Sequence, residues 1–282
     1  MTRARVPASS ANLGPGFDTL AVALALYVEV EVEPADALSI DAYGEGAELP
    51  ADHRHLAARV ARAVAGHDRF AMTVRSDVPV GRGLGSSAAL AAATAAAVGA
   101  GDPLAVAAST DGHAENAAAS VLGGLVSATM VDDEPLVTPL ALDAAITFVV
   151  LVPERVLPTA QARAALPSAV PHADAAFNLG RMGLLLGGLA DHRRLVPEAT
   201  QDRLHQEQRA ALFAESTSLL AGLVEAGAHA SCWSGAGPSL LAVCTADSAD
   251  AVARAGERLL AAHAVEGRAL RLEPDRCGLV VD

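Results

Sequence analysis

The stretch Gly81-Arg82-Gly83-Leu84-Gly85-Ser86-Ser87-Ala88-Ala89 sets three alternating glycines directly before an alanine-rich run that continues to about Val98. Glycine visits left-handed backbone conformations at little cost, so the first half can curl into a loop with unhindered N–H groups. The alanines predict a helix, opened by Ser86-Ser87. A helix N-terminus carries unpaired N–H donors at the positive end of the helix dipole, and together these suit a phosphate. The loop is not the dinucleotide fingerprint, because residue 86 is serine where a third glycine would fall. It is not a Walker-type loop either, for want of lysine. On these residues alone, a glycine-rich turn with a serine N-cap is the alternative.

Working outward, Val28-Glu29-Val30-Glu31-Val32-Glu33 alternates strictly and stops at Pro34, predicting a strand with one wet face. Leu38–Tyr43 and Phe70–Arg75 also read as strands, and His55–Ala65 as a helix stopped by Gly66. Beyond the loop come helices from Pro103 and over Glu115–Leu122. A hairpin, Leu125–Met130 with Leu136–Leu140, follows around Asp132-Asp133-Glu134. A continuous apolar strand, Ile146–Val152, starts a new pattern. It continues with helices over Asp174–Leu189, Pro197–Leu212 and Ser216–Ala226 and a strand-turn-strand over His229–Cys244. A helix over Ser248–His263 and a strand over Ala269–Leu272 complete it. That order is β, helices, β, β, α, β, as in a ferredoxin-like sandwich. The division is placed between residues 1–142 and 143–282.

At 282 residues and 52% hydrophobic content the chain can bury a large core. Its 20 basic residues are all arginine and are outweighed by 33 acidic ones, for a net charge of −13. This argues against nucleic-acid and anionic-membrane partners, and the missing lysine excludes Schiff-base chemistry. The 3 cysteines form no C-x-x-C pair, which points away from a disulfide framework and fits a reducing cytoplasm. Met1–Pro7 has no apolar core of a secretory signal, and the charge-free run Gly83–Gly101 is too weakly apolar to span a bilayer.

Three more segments carry polar groups at close spacing. Pro7-Ala8-Ser9-Ser10-Ala11-Asn12-Leu13-Gly14-Pro15-Gly16-Phe17-Asp18 is rich in turn formers and reads as a turn between two strands, with Asn12 and Asp18 as candidate Asx-turn residues. Asp111-Gly112-His113-Ala114-Glu115-Asn116 precedes an apolar helix ending in Gly123-Gly124. Ser234-Gly235-Ala236-Gly237-Pro238-Ser239 reads as a hairpin turn.

Taken together and in this order, these segments resemble the three motifs of the GHMP small-molecule kinases: Pro7–Asp18, Pro79–Ala89 and Ser234–Ser239. Further likeness is to the subgroup that phosphorylates L-homoserine. It is carried by Ser9–Asp18, by His113-x-x-Asn116 with Gly123-Gly124, by Thr159-x-x-x-Arg163-x-x-Leu166-Pro167, and by Asp202-Arg203-Leu204-His205-Gln206-x-x-Arg209. The likeness covers roughly residues 3 to 245.

The resemblance implies an α+β two-domain GHMP kinase fold. Its N-terminal half would be ribosomal protein S5 domain 2-like and its C-terminal half a ferredoxin-like sandwich. It implies ATP-dependent phosphorylation of the side-chain hydroxyl of L-homoserine on the route to threonine, with ATP and Mg²⁺ as cofactors and a homodimer as the assembly. Carried over residue by residue, the loop Val80, Gly81, Arg82, Gly83, Leu84, Gly85, Ser86, Ser87, Ala88 and Ala89 wraps the ATP phosphates. Ser87 and Asp111 face the metal; Asp111 stands where the family usually has Glu, one methylene longer. Asn12 binds the substrate hydroxyl, Asp18 its ammonium group, and Arg163 and Arg209 its carboxylate, with His113 lining the same pocket. Thr159 and Asn116 complete the catalytic set, and His55 lies where an adenine-pocket Asn often sits. Glu115 is open between a base and a helix-start carboxylate, and Arg82 between a phosphate contact and an exposed loop charge. Two rival functions are another small-alcohol kinase of the family and a non-catalytic ligand-binding member of the fold.

Overall fold

The computed structural model of the protein describes residues 1–282, apart from the side chain of Asp111. The first half runs β1 (Thr2–Ala11), β2 (Leu20–Pro34), β3 (Ser39–Gly44), α1 (Leu56–Ala65), β4 (Phe70–Ser76) and α2 (Ser86–Ala97). It continues with α3 (Pro103–Asp111), α4 (Ala114–Leu122), β5 (Leu125–Val131) and β6 (Glu134–Leu140). The strands form one mixed sheet in which β1 and β4 flank β2, with β3 parallel to β4 and β5 joining β2 to β6. Asp132 and Asp133, both at positive φ, make the hairpin turn that joins β5 to β6.

Pro7–Ala11, read above as part of a turn, belongs to β1 instead. The register of β1 against β2 shifts between Pro7 and Ala8, at a residue with no N–H to give the ladder. Beyond it, Ala8, Ser9, Ser10 and Ala11 are fully buried beneath α2 and α4. Small side chains at that position let the helices approach the sheet. The same logic explains α2, which is buried nearly all round because alanine brings it close to the sheet and to α1, α3 and α4.

The second half opens with β7 (Ile146–Pro153), followed by α5 (Thr159–Ala164), α6 (His172–Ala190), α7 (Gln206–Ala210), α8 (Ser216–Glu225), β8 (Ala230–Trp233) and β9 (Leu240–Thr245). Then come α9 (Ala246–Ala262), β10 (Gly267–Leu272) and β11 (Val280–Val281). Its sheet is antiparallel in the order β10-β7-β9-β8, which is the ferredoxin-like order. Every residue of β7 is buried because both faces are covered. Val149 and Leu151 join the core under α8 and α9, while Ile146, Phe148, Val150 and Val152 join that of the first half.

Two expectations are corrected here. Pro197–Leu212 is not one helix: a 3-10 turn at Pro197–Thr200 is followed by an irregular link and the short α7. The Asp202 carboxylate accepts from the backbone N–H groups of Leu204, His205 and Gln206, which starts α7 afresh. In addition, the chain after β10 does not stay with the second sheet. β11 pairs with β1, and Asp275 bonds back to Ala23 and Gly124. Gly123 faces the backbone of Arg276–Gly278 so closely that a Cβ would sit 2.7 Å from the Gly278 nitrogen. The glycine pair that closes α4 therefore serves the returning tail.

Candidate active site

A cavity of about 340 Å³ runs between the two halves. Tyr43, Leu49, Leu56, Val74 and Leu90 form its apolar end, the glycine loop its middle, and Asn12, His113, Asn116, Thr159, Arg163 and Arg209 its polar end. Of the apolar residues, none was singled out in the sequence. They come from strand, loop and helix positions whose only shared signal is hydrophobicity.

The loop is held open by close backbone packing. Gly83 and Gly85 have φ of +75° and +66°, a region that side chains with a Cβ seldom adopt. A Cβ on Gly83 would overlap the Ser234 carbonyl, and one on Gly85 would overlap the Ser9 hydroxyl. The Ser234 hydroxyl bridges the Gly83 carbonyl (2.7 Å) and Ser10 Oγ (2.8 Å). Ser9 donates from its backbone to the Leu84 carbonyl (3.1 Å) and from its hydroxyl to Asn116 Oδ1 (2.9 Å). Gly235 N–H closes the set on the Ala11 carbonyl (2.8 Å). Segments far apart in the chain thus meet through single atoms.

The N-cap of α2 is Gly85, not a serine, and no side chain caps it. Ser86 and Ser87 therefore stand in the first turn, both lining the cavity, with no acidic residue there to compete for an anion. This removes the capped-turn alternative and leaves an N-terminus that fits a phosphate chain. Two other loop expectations change. Arg82 is turned away, its guanidinium donating to the carbonyls of Pro153 (3.0 Å), Val80 (3.2 Å) and Glu154 (2.7 Å), so it braces the loop against β7. The Ala89 N–H is committed to the Gly85 carbonyl, whereas Ala88 stays in the first turn of α2. His55, buried at the cavity wall, caps α1 by accepting from Ala57 N–H through Nδ1 (3.2 Å).

At the polar end, Asn12 closes its own loop. Its Oδ1 accepts from Asp18 N–H (2.8 Å) and its Nδ2 donates to the Gly235 carbonyl (3.0 Å), which leaves one amide proton. Asp18 and Arg163 form a two-pronged ion pair (2.8 and 3.0 Å), and Arg163 Nη2 also meets His113 Nε2 at 3.1 Å. Donating to the Asp18 carboxylate raises the Arg163 pKa above its ordinary value. Arg209 is only 2% exposed and donates from Nη1 to His205 Nδ1 (3.1 Å) and to the Gly235 carbonyl (3.0 Å). Burial pulls its pKa down to about 10, which still leaves it charged at neutral pH. The Phe17 ring meets both guanidiniums, 5.5 Å from Arg163 and 5.4 Å from Arg209. Phe17 is a further residue that the sequence motif contained without revealing its role. Glu115 is 2% exposed in the first turn of α4. The side chain of Asp111, the expected metal ligand, lies outside the described residues.

His205 is completely buried, and that burial pushes its pKa down to about 4. An unfolded chain has a histidine near 6.5, so between those values it binds a proton that the folded protein refuses. Stability from this group is complete above about pH 6.5 and falls as pH drops toward 4. Burial pushes His55 and His229 in the same direction. Urea unfolding should therefore show a lower midpoint at about pH 5 than at about pH 7.5, and equal midpoints would contradict the assignment.

Residues 54–124 match the GHMP kinases N terminal domain and residues 180–262 the GHMP kinases C terminal domain. The homoserine kinase of Streptomyces avermitilis is 44% identical over 275 residues, covering 90% of each chain. That of Thermus thermophilus is 41% identical over 284 residues, covering 96% of each. In fold, the chain superposes on homoserine kinase from Cytophaga hutchinsonii with a TM-score of 0.85 at 23% identity, covering 100% of this chain and 97% of that one. For L. major mevalonate kinase the TM-score is 0.72 at 15% identity, covering 96% and 95%. With matches at this identity over nine-tenths of its length, the chain belongs to the GHMP kinase family.

Proposed function

We propose that the protein transfers the γ-phosphoryl group of ATP to the side-chain hydroxyl of L-homoserine, giving O-phospho-L-homoserine and ADP. The observation that carries this reading is one cavity with an uncapped helix N-terminus in its middle and an Asp18–Arg163–Arg209 charge set at its polar end. A zwitterionic amino acid needs both an anion and a cation partner, whereas an uncharged alcohol needs neither. Opening the Asp18–Arg163 pair for the substrate costs little, because both side chains are more than a third exposed and such pairs contribute about 0–1 kcal/mol.

The first-turn N–H groups of α2 would hold the phosphates, and Ser87 would offer a hard oxygen to Mg²⁺. Magnesium-bound ATP supplies the phosphoryl group, with the metal offsetting charge on its oxygens. Asn12 and Thr159 orient the attacking hydroxyl, Asp18 takes the ammonium group, and Arg209 with Arg163 takes the carboxylate. The hydroxyl oxygen bonds to phosphorus as the bond to the bridging oxygen breaks, and the proton leaves to a phosphate oxygen or water. The transition state is loose, so positioning and charge neutralisation carry the rate and no side-chain base is required. The reading includes a cytoplasmic homodimer, and a sedimentation measurement of mass checks the assembly.

A general base would contribute about 10²- to 10⁴-fold. Glu115→Gln keeps size and hydrogen-bonding reach, and kcat should fall by less than about tenfold, below that range. A thousandfold loss with native melting temperature would make Glu115 the base. The reading as a whole is tested by ADP release with MgATP and L-homoserine, serine, threonine or mevalonate as acceptors. Homoserine should be preferred, and preference for mevalonate would refute it.

A further inference from the structure

The motif Asp202–Arg209 contains a buried histidine that the reaction described above does not use. His205 and Arg209 are four residues apart at the start of α7, on one helix face. His205 Nε2 lies 2.8 Å from the Gly14 carbonyl, an atom that only accepts, so Nε2 carries the ring proton. Nδ1 then has a free lone pair, and Arg209 Nη1 donates to it at 3.1 Å. A second ring proton would point at that guanidinium inside a fully buried site, which the low histidine pKa also disfavours.

The surroundings lock this arrangement. The Asp202 carboxylate, which takes the His205 backbone N–H at 2.8 Å, also accepts from Asn178 Nδ2 at 2.7 Å. Phe17 stacks on the imidazole at 5.1 Å. Gly14, at φ +49°, packs on the Thr200 backbone with no room for a Cβ. Both protons of Arg209 Nη1 are committed, to His205 Nδ1 and the Gly235 carbonyl, and Nε is buried. Nη2 is left as the nitrogen that the guanidinium presents to the cavity.

We infer that His205, as the neutral Nε2–H form, is a positioning residue that sets which nitrogen of Arg209 meets the substrate carboxylate and thereby selects carboxylate-bearing alcohols. The inference rests on the function proposed above. His205 links the Pro7–Asp18 segment to Arg209 without touching the substrate, so its loss should alter carboxylate recognition and leave ATP use unchanged.

Two substitutions separate its two hydrogen bonds. His205→Gln can keep a donor near Nε2 for Gly14 but loses the acceptor for Arg209. His205→Asn can place its Oδ1 near Nδ1, keeping that acceptor and losing the Gly14 bond. The substrates are L-homoserine and 3-aminopropan-1-ol, the same alcohol without its carboxylate. For His205→Gln, the homoserine KM should rise about tenfold, as for weakening one hydrogen bond to a charged group. Its kcat, the KM for MgATP, and kcat/KM for 3-aminopropan-1-ol should stay near wild type. His205→Asn should keep the wild-type preference for homoserine. Equal losses on both substrates in both variants, or an unchanged preference in His205→Gln, would overturn the inference. A second measurement needs no variant: ¹⁵N histidine spectra of the wild-type protein at neutral pH should show His205 protonated at Nε2 alone, and a proton on Nδ1 would overturn it. Absence of homoserine turnover by the wild type would instead sink the proposed function, so the two failures are distinguishable.

Discussion

Replacing Arg209 by leucine should raise the KM for homoserine about 10- to 150-fold, with the KM for MgATP unchanged. The range follows from the roughly 1.5–3 kcal/mol that a hydrogen bond to a charged group contributes. The effect should appear in substrate binding more than in stability. A guanidinium that is 2% exposed carries a desolvation cost that its removal relieves. The Gly235 carbonyl keeps its bond from Asn12, although His205 Nδ1 loses its donor. These terms oppose each other, so the melting temperature should move by only a few degrees. Arg163→Leu should have the smaller effect, since that guanidinium is 46% exposed in its side chain and screened by solvent and salt. A folded Arg209→Leu protein with normal homoserine affinity would remove Arg209 from the substrate end of the cavity.

Gly83→Ala should damage both stability and ATP use. Left-handed backbone costs a residue with a Cβ about 1–2 kcal/mol, and overpacking against fixed atoms typically adds about 1–3 kcal/mol. The obstructing atoms are backbone: the Ser234 carbonyl, and Gly237 nitrogen at 2.9 Å. Neither can rotate away, so relief requires the Ser234–Ser239 turn to move. That motion would part Ser234 from Ser10 and Gly235 from Ala11. At about 2–4 °C per kcal/mol for a protein of somewhat smaller size, the melting temperature should drop by roughly 5–15 °C. The KM for MgATP should rise with it. A variant with unchanged melting temperature and unchanged ATP kinetics would show that the contact is not needed.

Much of this architecture was legible in the residues, for identifiable reasons. The glycine loop, the strict alternation before Pro34 and the hairpin around Asp132-Asp133 are local signals, and local backbone preference decides them. The buried β7 reads as a continuous apolar run because it is covered on both faces. What failed to show depends on contacts between distant residues. Ala8–Ala11 lacks the side chains that favour strands, yet it is a strand because its small residues admit α2 and α4. Pro197–Leu212 has helical composition, but Asp202 gathers backbone donors and restarts the helix.

The site shows the same division. Residue identities marked the loop and the charged residues of the polar end, but not how they pair. Asp18 was assigned to an ammonium group and Arg163 to a carboxylate. The fold sets them against each other, through a contact 145 positions apart in the chain. Arg82, equally plausible in sequence as a phosphate ligand, is consumed by three carbonyls, that of Val80 in its own loop and those of Pro153 and Glu154, which only the fold brings near. Tyr43, Leu49, Leu56, Val74 and Leu90 carry no motif, and only the shape of the cavity distinguishes them from ordinary core residues.

The most direct test of the central claim is ³¹P NMR of the product mixture after incubating the wild-type protein with MgATP and L-homoserine. One equivalent of a phosphate monoester on the homoserine side-chain oxygen should appear for each equivalent of ADP, with none formed when homoserine is omitted. ADP accompanied only by inorganic phosphate, or no ADP at all in a folded protein that binds ATP, would contradict it.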